Sequence, residues 1–370
     1  LKKQHIAFTV INDLSTDQRM QRIATSLSTA GFEVTLIGRK TPQSAPLVER
    51  NFRQKRLNVW FQRGKLFYIE YNLRLFWHLL CHDYDIYGAI DLDTLLPHFI
   101  VSRLKRRPMT YDAHEYFAEL PEIVHRPNVR RAWKMLEKTI VPRLKYAYTI
   151  NDTYRQLFKQ HYNIDFEVVR NATVLQPLPS TTAPNTEPYI LYQGAVNVGR
   201  GVEQVIEAMQ YVENIKLYIC GKGDVHQNCV DLVRQLNLQH KVTFFGQIPP
   251  EQLRQFTLQA TLGFTLFTND GLSYYYSLAN RFFDYFHSGV PQLAINFPEY
   301  KRINDQFEVA LLLDDLNPIH IAQAINQLLT DQQLYQRLRQ NCLRAREQIN
   351  WQTEEKKLLQ LYNHIKNATS

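Results

Sequence analysis

YILYQGAVNVGRGVEQVIEAM, Tyr189 to Met209, passes from an apolar strand through a glycine-containing loop into a helix. Units of this kind build open parallel sheets. Downstream, KLYICG, VTFFG, LGFTLF, PQLAI and VALLL repeat the strand signal with helices between them, which predicts a doubly wound α/β unit. Upstream the same alternation is present. HIAFTVI (His5 to Ile11) reads as a buried strand, the capping-box pattern Ser15-x-x-Gln18 opens a helix that runs to Gly31, and EVTLIG begins the next strand. YDIYGAI and MTYDAHE are further strands ending in polar residues, with a helical run from Ala132 to Tyr146 behind them. Between the halves, VLQPLPSTTAPNTEP has the Pro, Ser and Thr content of an exposed linker. The expected organisation is therefore one α/β domain over 1–172, a second over 173–350, and a closing helix over 351–370 packed back on the first.

Composition sets the outer bounds. A chain of 370 residues with 45% hydrophobic content buries a large core and favours two domains. Its formal charge of +8 suits phosphorylated small molecules, polyanions or anionic lipid surfaces. Cys81, Cys220, Cys229 and Cys342 form no CxxC pair and no zinc spacing, so free thiols in a reducing compartment are expected. The opening LKKQHIAFTVI lacks a secretory apolar region, and no apolar run approaches the ~20 residues of a membrane span. These readings point to a cytoplasmic protein that is soluble or peripheral, at the inner face of the cytoplasmic membrane in the latter case.

In open α/β sheets, ligands sit beyond the carboxyl ends of the strands. GAVNVGRG, Gly194 to Gly201, occupies such a position, where its glycines allow close backbone approach and Arg200 stands before a helix. A phosphate-binding loop and a flexible loop with one solvated arginine both fit it. GKGD, Gly221 to Asp224, reads as a simple turn. MTYDAHEYFAE sets Asp112, His114 and Glu115 at a strand end, where the imidazole can orient a hydroxyl, move a proton, or be held structurally by a carboxylate. Asp91 and Asp93 in DLDTL are read as caps of the following helix rather than as a metal pair.

Residues 52–80 mix cations with aromatic rings, a combination that suits a lipid interface or nucleic acid. No nucleic-acid module is recognisable there. Leu66, Ile69, Leu73, Phe76 and Leu80 are spaced as the core stripe of a helix, and Glu70 and Arg74 as an exposed pair, so a core helix after a basic loop is expected, with contact to an anionic membrane as the other reading.

SLANRFFDYFHSGVP, Ser277 to Pro291, predicts a short helix with Ser277 as N-cap, Gly289 just past its end, and Asn280, Asp284 and His287 along one stripe. This segment resembles the SLPNKLFEYMAAGLPVI stretch of the retaining glycosyltransferases of family 4. STDQRM, GFEVTLIGR, YDAHEYFAE, YQGAVNVGRGVEQVIEAM and VTFFGQIPPEQL extend that resemblance in order along nearly the whole chain. It implies the GT-B fold, two Rossmann-like doubly wound domains facing across a cleft. The implied activity is transfer of a sugar, with retention and without a metal or other cofactor, from a UDP- or GDP-linked nucleotide sugar to a glycan or lipid-linked glycan, as in bacterial polysaccharide biosynthesis.

The resemblance also assigns residues. Asp284 matches the second glutamate of a Glu-x7-Glu motif, which grips the ribose, while Tyr276 replaces the first. Gly194 and Arg200-Gly201 match a phosphate motif in which Ala195 replaces an arginine. Gly246 to Ile248 match the loop beside the base. Ser277, Leu278, Asn280 and Arg281 fall at the diphosphate, with the helix amides and Arg200 as the groups that stabilise its departure. His114 matches a histidine near the transferred sugar, and Asn12, Asp13, Asp112 and Glu115 fall on the acceptor side. A non-catalytic binding or scaffold subunit is the competing implication of Tyr276 and Ala195. A dinucleotide oxidoreductase is disfavoured because neither half carries GxGxxG after its first strand.

Overall fold

Seven parallel strands make the first sheet: β1 (His5–Thr9), β2 (Glu33–Arg39), β3 (Arg53–Leu57), β4 (Ile86–Ile90), β5 (Met109–Ala113), β6 (Tyr146–Thr149) and β7 (Glu167–Val168). Their order is β3-β2-β1-β4-β5-β6-β7, so the winding reverses between β1 and β4. The structure is a computed structural model that describes residues 3–15, 17–42, 44–179 and 187–369. Part of the Pro/Ser/Thr-rich stretch read as a linker, at 180–186, lies outside the described residues.

The second sheet contains β8 (Tyr189–Gln193), β9 (Lys216–Cys220), β10 (Val242–Gly246), β11 (Leu262–Thr265), β12 (Gln292–Ile295) and β13 (Ala310–Leu313). Its order, β10-β9-β8-β11-β12-β13, repeats the reversal between β8 and β11, and all its pairs are parallel. The loops after its strands therefore collect along one edge. The chain divides into two compact units, Leu1–Arg170 with Thr353–Ser370, and Asn171–Gln352.

Several local expectations give way to tertiary contacts. The first helix, α1 (Gln18–Thr29), is capped by Asp17, whose carboxylate accepts the Met20 N–H at 3.0 Å. Ser15 cannot serve as the cap because its N–H and hydroxyl both bond the Asp13 carboxylate, at 2.9 and 2.7 Å. β3, β6 and the two-residue β7 are strands additional to those expected from the sequence. RQKRL in β3 has no apolar alternation, since it is the edge strand and exposes Arg53 and Lys55, which discourages pairing with another sheet. The helix predicted to reach Tyr146 stops at Ile140, and Tyr146 begins β6 after a tight turn containing Pro142.

The helix α2 (Gly64–Cys81) is oriented opposite to expectation. It buries Phe67, Tyr71, Leu75, His78 and Leu79, whereas Leu66, Ile69 and Leu73 are each 56% exposed. Both stripes are apolar, so periodicity alone could not choose between them. Tyr71 decides the orientation, because its buried hydroxyl donates to Val10 O at 2.5 Å.

In the second unit, Phe282, Phe283, Tyr285 and Phe286 are fully buried against the sheet. Each contributes about 1.5–3 kcal/mol by burial, which anchors the segment that began as SLANRFF. The helix Trp351–Thr369 joins the first unit from Thr353 onward, where Tyr362 is buried and shares a hydrogen bond with Thr110 Oγ1 at 2.9 Å. All four cysteines are free, and burial pushes the Cys220 and Cys229 thiols up to about 12. Among the described residues no helix is long and apolar enough to cross a membrane.

Candidate functional site

The loop after β8 is locked to the turn after β9. Gly194 N–H donates to Cys220 O at 3.0 Å, Val196 N–H to Lys222 O at 3.1 Å, and Val225 N–H returns to Val196 O at 3.1 Å. A Cβ at Gly221 would stand 1.7 Å from Gly194 O, so only glycine permits this backbone contact. The GKGD segment is thus more than a simple turn, because it fixes the path of Gly194 to Asn197. At the other end of the loop Gly201, at φ +70°, lies where a Cβ would meet the Leu266 side chain at 2.7 Å.

Two guanidinium groups converge above this loop. Arg200 lies 5.9 Å from the Phe267 ring centroid and Arg281 lies 4.6 Å from the same ring. Arg281 also stacks on Tyr192 at 4.9 Å, and its Nη1 would be 3.6 Å from a Cβ on Gly194. The Arg281 side chain is 4% exposed, yet its Nε and Nη2 meet no hydrogen-bond partner among the described residues. Burying an arginine with donors unsatisfied is costly unless something anionic completes the site.

The helix beneath these groups spans Asn280–His287 and has Ala279, not Ser277, as its N-cap. Tyr300 explains the later start. Ser277 N–H is bonded to Tyr274 O, the Ser277 hydroxyl pairs with Tyr300 OH at 3.1 Å, and that phenol accepts the Ala279 N–H at 3.1 Å. The Ser277 and Ala279 amides are therefore occupied within the protein. Gly289, at φ +70°, ends the helix as expected.

The predicted polar stripe is divided. Asn280 is exposed and its side chain bonds Asn171, while His287 is buried with its ring bonded to Ile349 O at 2.8 Å. Asp284 is half-buried, and its carboxylate accepts Thr173 Oγ1 at 2.6 Å and Gln193 Nε2 at 2.8 Å. Gln193 is itself positioned by the Thr257 hydroxyl at 2.7 Å. No sequence motif marks Gln193, Thr173 or Thr257; the position of Gln193 at the end of β8 is the available signal. Leu278 is a core residue, 4% exposed, and reaches the site only through its backbone. Tyr276 is half-buried beside Tyr275. Gly246 ends β10 at φ +67° next to Lys222, and the Ile248 side chain packs against a small apolar cluster.

In the first unit, Asp112 is wholly buried and holds two cations. Arg19 donates to it through Nε at 3.1 Å and Nη2 at 2.9 Å, and His114 Nε2 lies 2.9 Å away. Burial alone would raise the Asp112 carboxyl, but Arg19 and His114 bring it below its ordinary value. Burial would likewise lower His114; the Asp112 and Asp91 carboxylates outweigh that and raise it to about 9. His114 is thus an imidazolium at neutral pH, suited to donating a hydrogen bond and unsuited to removing a proton.

Asp91 accepts the His114 N–H at 2.8 Å and does not cap a helix. Asp93 is buried and raised well above the usual carboxylate range, first by burial and then by Asp91 and Glu115. The helix that follows, α3 (Leu95–Leu104), starts from Thr94 with no side-chain cap. Asp13 accepts bonds from Ser15, Ser44 and Arg56; these overcome its partial burial and hold its carboxyl at about 2. Asp13 therefore organises its loop. Asn12 and Glu115 are exposed.

A pH prediction follows from His114. Its folded value of about 9 exceeds the ordinary 6.5, so its stabilising contribution is complete below 6.5 and is lost as pH rises through about 9. The thermal midpoint is expected to fall over that window. His114→Gln should flatten the decline in a calorimetric pH series, and an unchanged slope would contradict the assignment.

A family model described as Glycosyl transferases group 1 matches residues 178–344. This stretch, a little under half of the chain, is similar to the group 1 glycosyltransferases. It takes in the Gly194 loop, Arg200, Gly246, Arg281 and Asp284, while His114 and Asp112 lie outside it. An uncharacterized glycosyltransferase of Methanocaldococcus jannaschii is 36% identical over 72 residues, a match spanning 19% of this chain and 18% of that relative. Among solved structures, a sucrose-phosphate synthase from Thermosynechococcus elongatus superimposes with a TM-score of 0.83 at 19% identity, covering 99% of this chain and 100% of that one. Anabaena Alr3699/HepE in complex with UDP-glucose gives 0.78 at 14% identity, covering 97% and 99%. These likenesses establish the fold, that of the GT-B glycosyltransferases.

Proposed function

We propose that the protein transfers a sugar from a UDP- or GDP-linked nucleotide sugar to a glycan or lipid-linked glycan with retention of anomeric configuration. The observation that carries this reading is Arg281, a buried guanidinium with unsatisfied donors beside a glycine loop at a sheet's switch point. A diphosphate supplies what that group lacks. As the bond from the anomeric carbon to the phosphate oxygen breaks, negative charge grows on the departing diphosphate, and fixed cations lower the barrier because they need no reorganisation. Arg200 and Arg281 hold that charge without a metal ion. Arg281 thereby offsets the arginine replaced by Ala195.

Asp284 binds the ribose hydroxyls, which exchange with the Thr173 and Gln193 donors now engaged by its carboxylate. The acceptor hydroxyl attacks from the face that the diphosphate leaves and passes its proton to a phosphate oxygen. His114 donates a hydrogen bond to a sugar hydroxyl and acts neither as base nor as nucleophile. Free thiols agree with a cytoplasmic setting.

The test begins with thermal shift against UDP, GDP and ADP, followed by mass spectrometry of donor hydrolysis with the corresponding sugar nucleotides. One diphosphate is expected to raise the midpoint, and Asp284→Ala to weaken it about tenfold or more by loss of a charge-assisted pair. If no nucleotide shifts the wild-type midpoint, the enzyme reading fails and the chain is a binding or scaffold subunit.

A further inference from the structure

The first unit displays an apolar face that its fold does not use. On α2, Leu66, Ile69, Leu73 and Trp77 are 56%, 56%, 56% and 60% exposed, and at about 100° per residue they lie roughly opposite the buried stripe. Trp60, just before the helix, is 83% exposed. Both Glu70 carboxylate oxygens accept the Trp60 N–H, at 3.0 and 2.9 Å, and one also accepts the Phe61 N–H at 3.0 Å. Arg74 bonds Glu70 at 2.7 Å and covers the indole at 4.6 Å. The tryptophan is held in place beside the stripe. α3 packs beside α2 and adds Leu96, Ile100 and Leu104, exposed at 42%, 39% and 64%. So many large apolar side chains on two adjoining helices exceed the scattered exposure of an ordinary surface.

The charges around this face have one predominant sign. Arg63 and Lys65 are exposed at the start of α2, and Arg103 and Arg106 at the end of α3. Glu70 is the single acid of α2 and is engaged internally, while α3 has none. Asp83 and Asp85, between the two helices, are matched by Lys105 at 2.8 Å and Arg107 at 3.5 Å.

We propose that this face docks the protein on an anionic lipid bilayer. The Leu, Ile and Trp side chains enter the headgroup boundary, where indole rings partition favourably, and the flanking arginines and lysine meet acidic headgroups. Each helix lies flat in that boundary and neither spans it. This surface belongs to the first unit and is separate from residues 178–344, so it stands or falls apart from the donor site.

The experiment is flotation of the full chain with vesicles of phosphatidylcholine alone and of phosphatidylcholine mixed with phosphatidylglycerol. Wild type is expected to float with the mixed vesicles and much less with the neutral ones. The combined change Ile69→Ser, Leu73→Ser and Trp77→Ser should weaken binding at least about tenfold. Its thermal midpoint and its nucleotide thermal shift should match wild type, because these side chains are exposed. Arg63→Gln with Lys65→Gln should reduce binding to the mixed vesicles and not to the neutral ones. Failure of wild type to float with either vesicle, or equal flotation of the triple variant, would overturn the proposal. So would a dimer in sedimentation velocity that the triple change abolishes while vesicle binding is absent, since that would give the face to a second copy of the chain.

Discussion

Replacing Arg281 by methionine is expected to lower kcat/KM for sugar transfer by about a hundredfold to a thousandfold, the scale of removing one preorganised donor from a departing anion. The thermal midpoint should stay level or rise. Arg281 lies between Tyr192 and Phe267, is 4% exposed, and has two nitrogens without hydrogen-bond partners among the described residues, so the unliganded protein bears the cost of a desolvated charge. An apolar side chain of similar length removes that cost and fills the same space. The thermal shift produced by the favoured nucleoside diphosphate should shrink correspondingly, since a ligand stabilises by RT ln(1 + [L]/Kd) and Kd rises. Calorimetry with steady-state kinetics decides the matter. A variant that loses stability and keeps its turnover would assign Arg281 to the fold.

Asp112→Ala should have the opposite signature. Asp112 is the shared partner of Arg19, which is 3% exposed, and of the His114 imidazolium. Deleting it leaves Arg19 with Val169 O, an acceptor at 2.9 Å that carries no formal charge. Breaking a buried pair in this way costs about 3–5 kcal/mol, roughly 6–20 °C in a unit of this size. His114 should then titrate closer to its ordinary value, because the larger of its two carboxylate influences is gone. Differential scanning calorimetry should show the fall while nucleotide binding by the second unit persists. A midpoint within a degree or so of wild type would mean that Arg19 and His114 find other partners.

The doubly wound architecture was legible because buried parallel strands leave continuous apolar runs, and YILYQ, KLYIC and IYGAI retain them. β3 was not legible, because an edge strand needs only one neighbour and RQKRL uses its side chains for charge. The orientation of α2 is not legible for the converse reason. A helix apolar on two sides gives a periodicity that fits either face, and the choice was made by one phenol finding a buried carbonyl.

At the candidate site, the resemblance names Arg200, Arg281 and Asp284 as donor-side residues, but not the contacts that give them their environments. Thr173 and Gln193 reach Asp284 across 111 and 91 residues of chain, and no local pattern predicts such pairings. Ser277 does not cap the helix for the same reason, since its hydroxyl pairs with Tyr300 from a separate helix. The Gly221 contact with Gly194 was equally hidden, because a glycine required by another segment's backbone resembles one required by its own turn.

The return of Trp351–Thr369 bears on how the chain is made. Residues 353–369 leave the ribosome after the entire second unit, yet Tyr362 seals against Phe8, Thr110 and Tyr148, all synthesised long before. The first unit is thus completed only after the second has been made, and until residues 353–369 emerge its sheet keeps an uncovered apolar gap. A nascent chain arrested before Tyr362 would present that gap to chaperones or to aggregation while the second unit could already have closed.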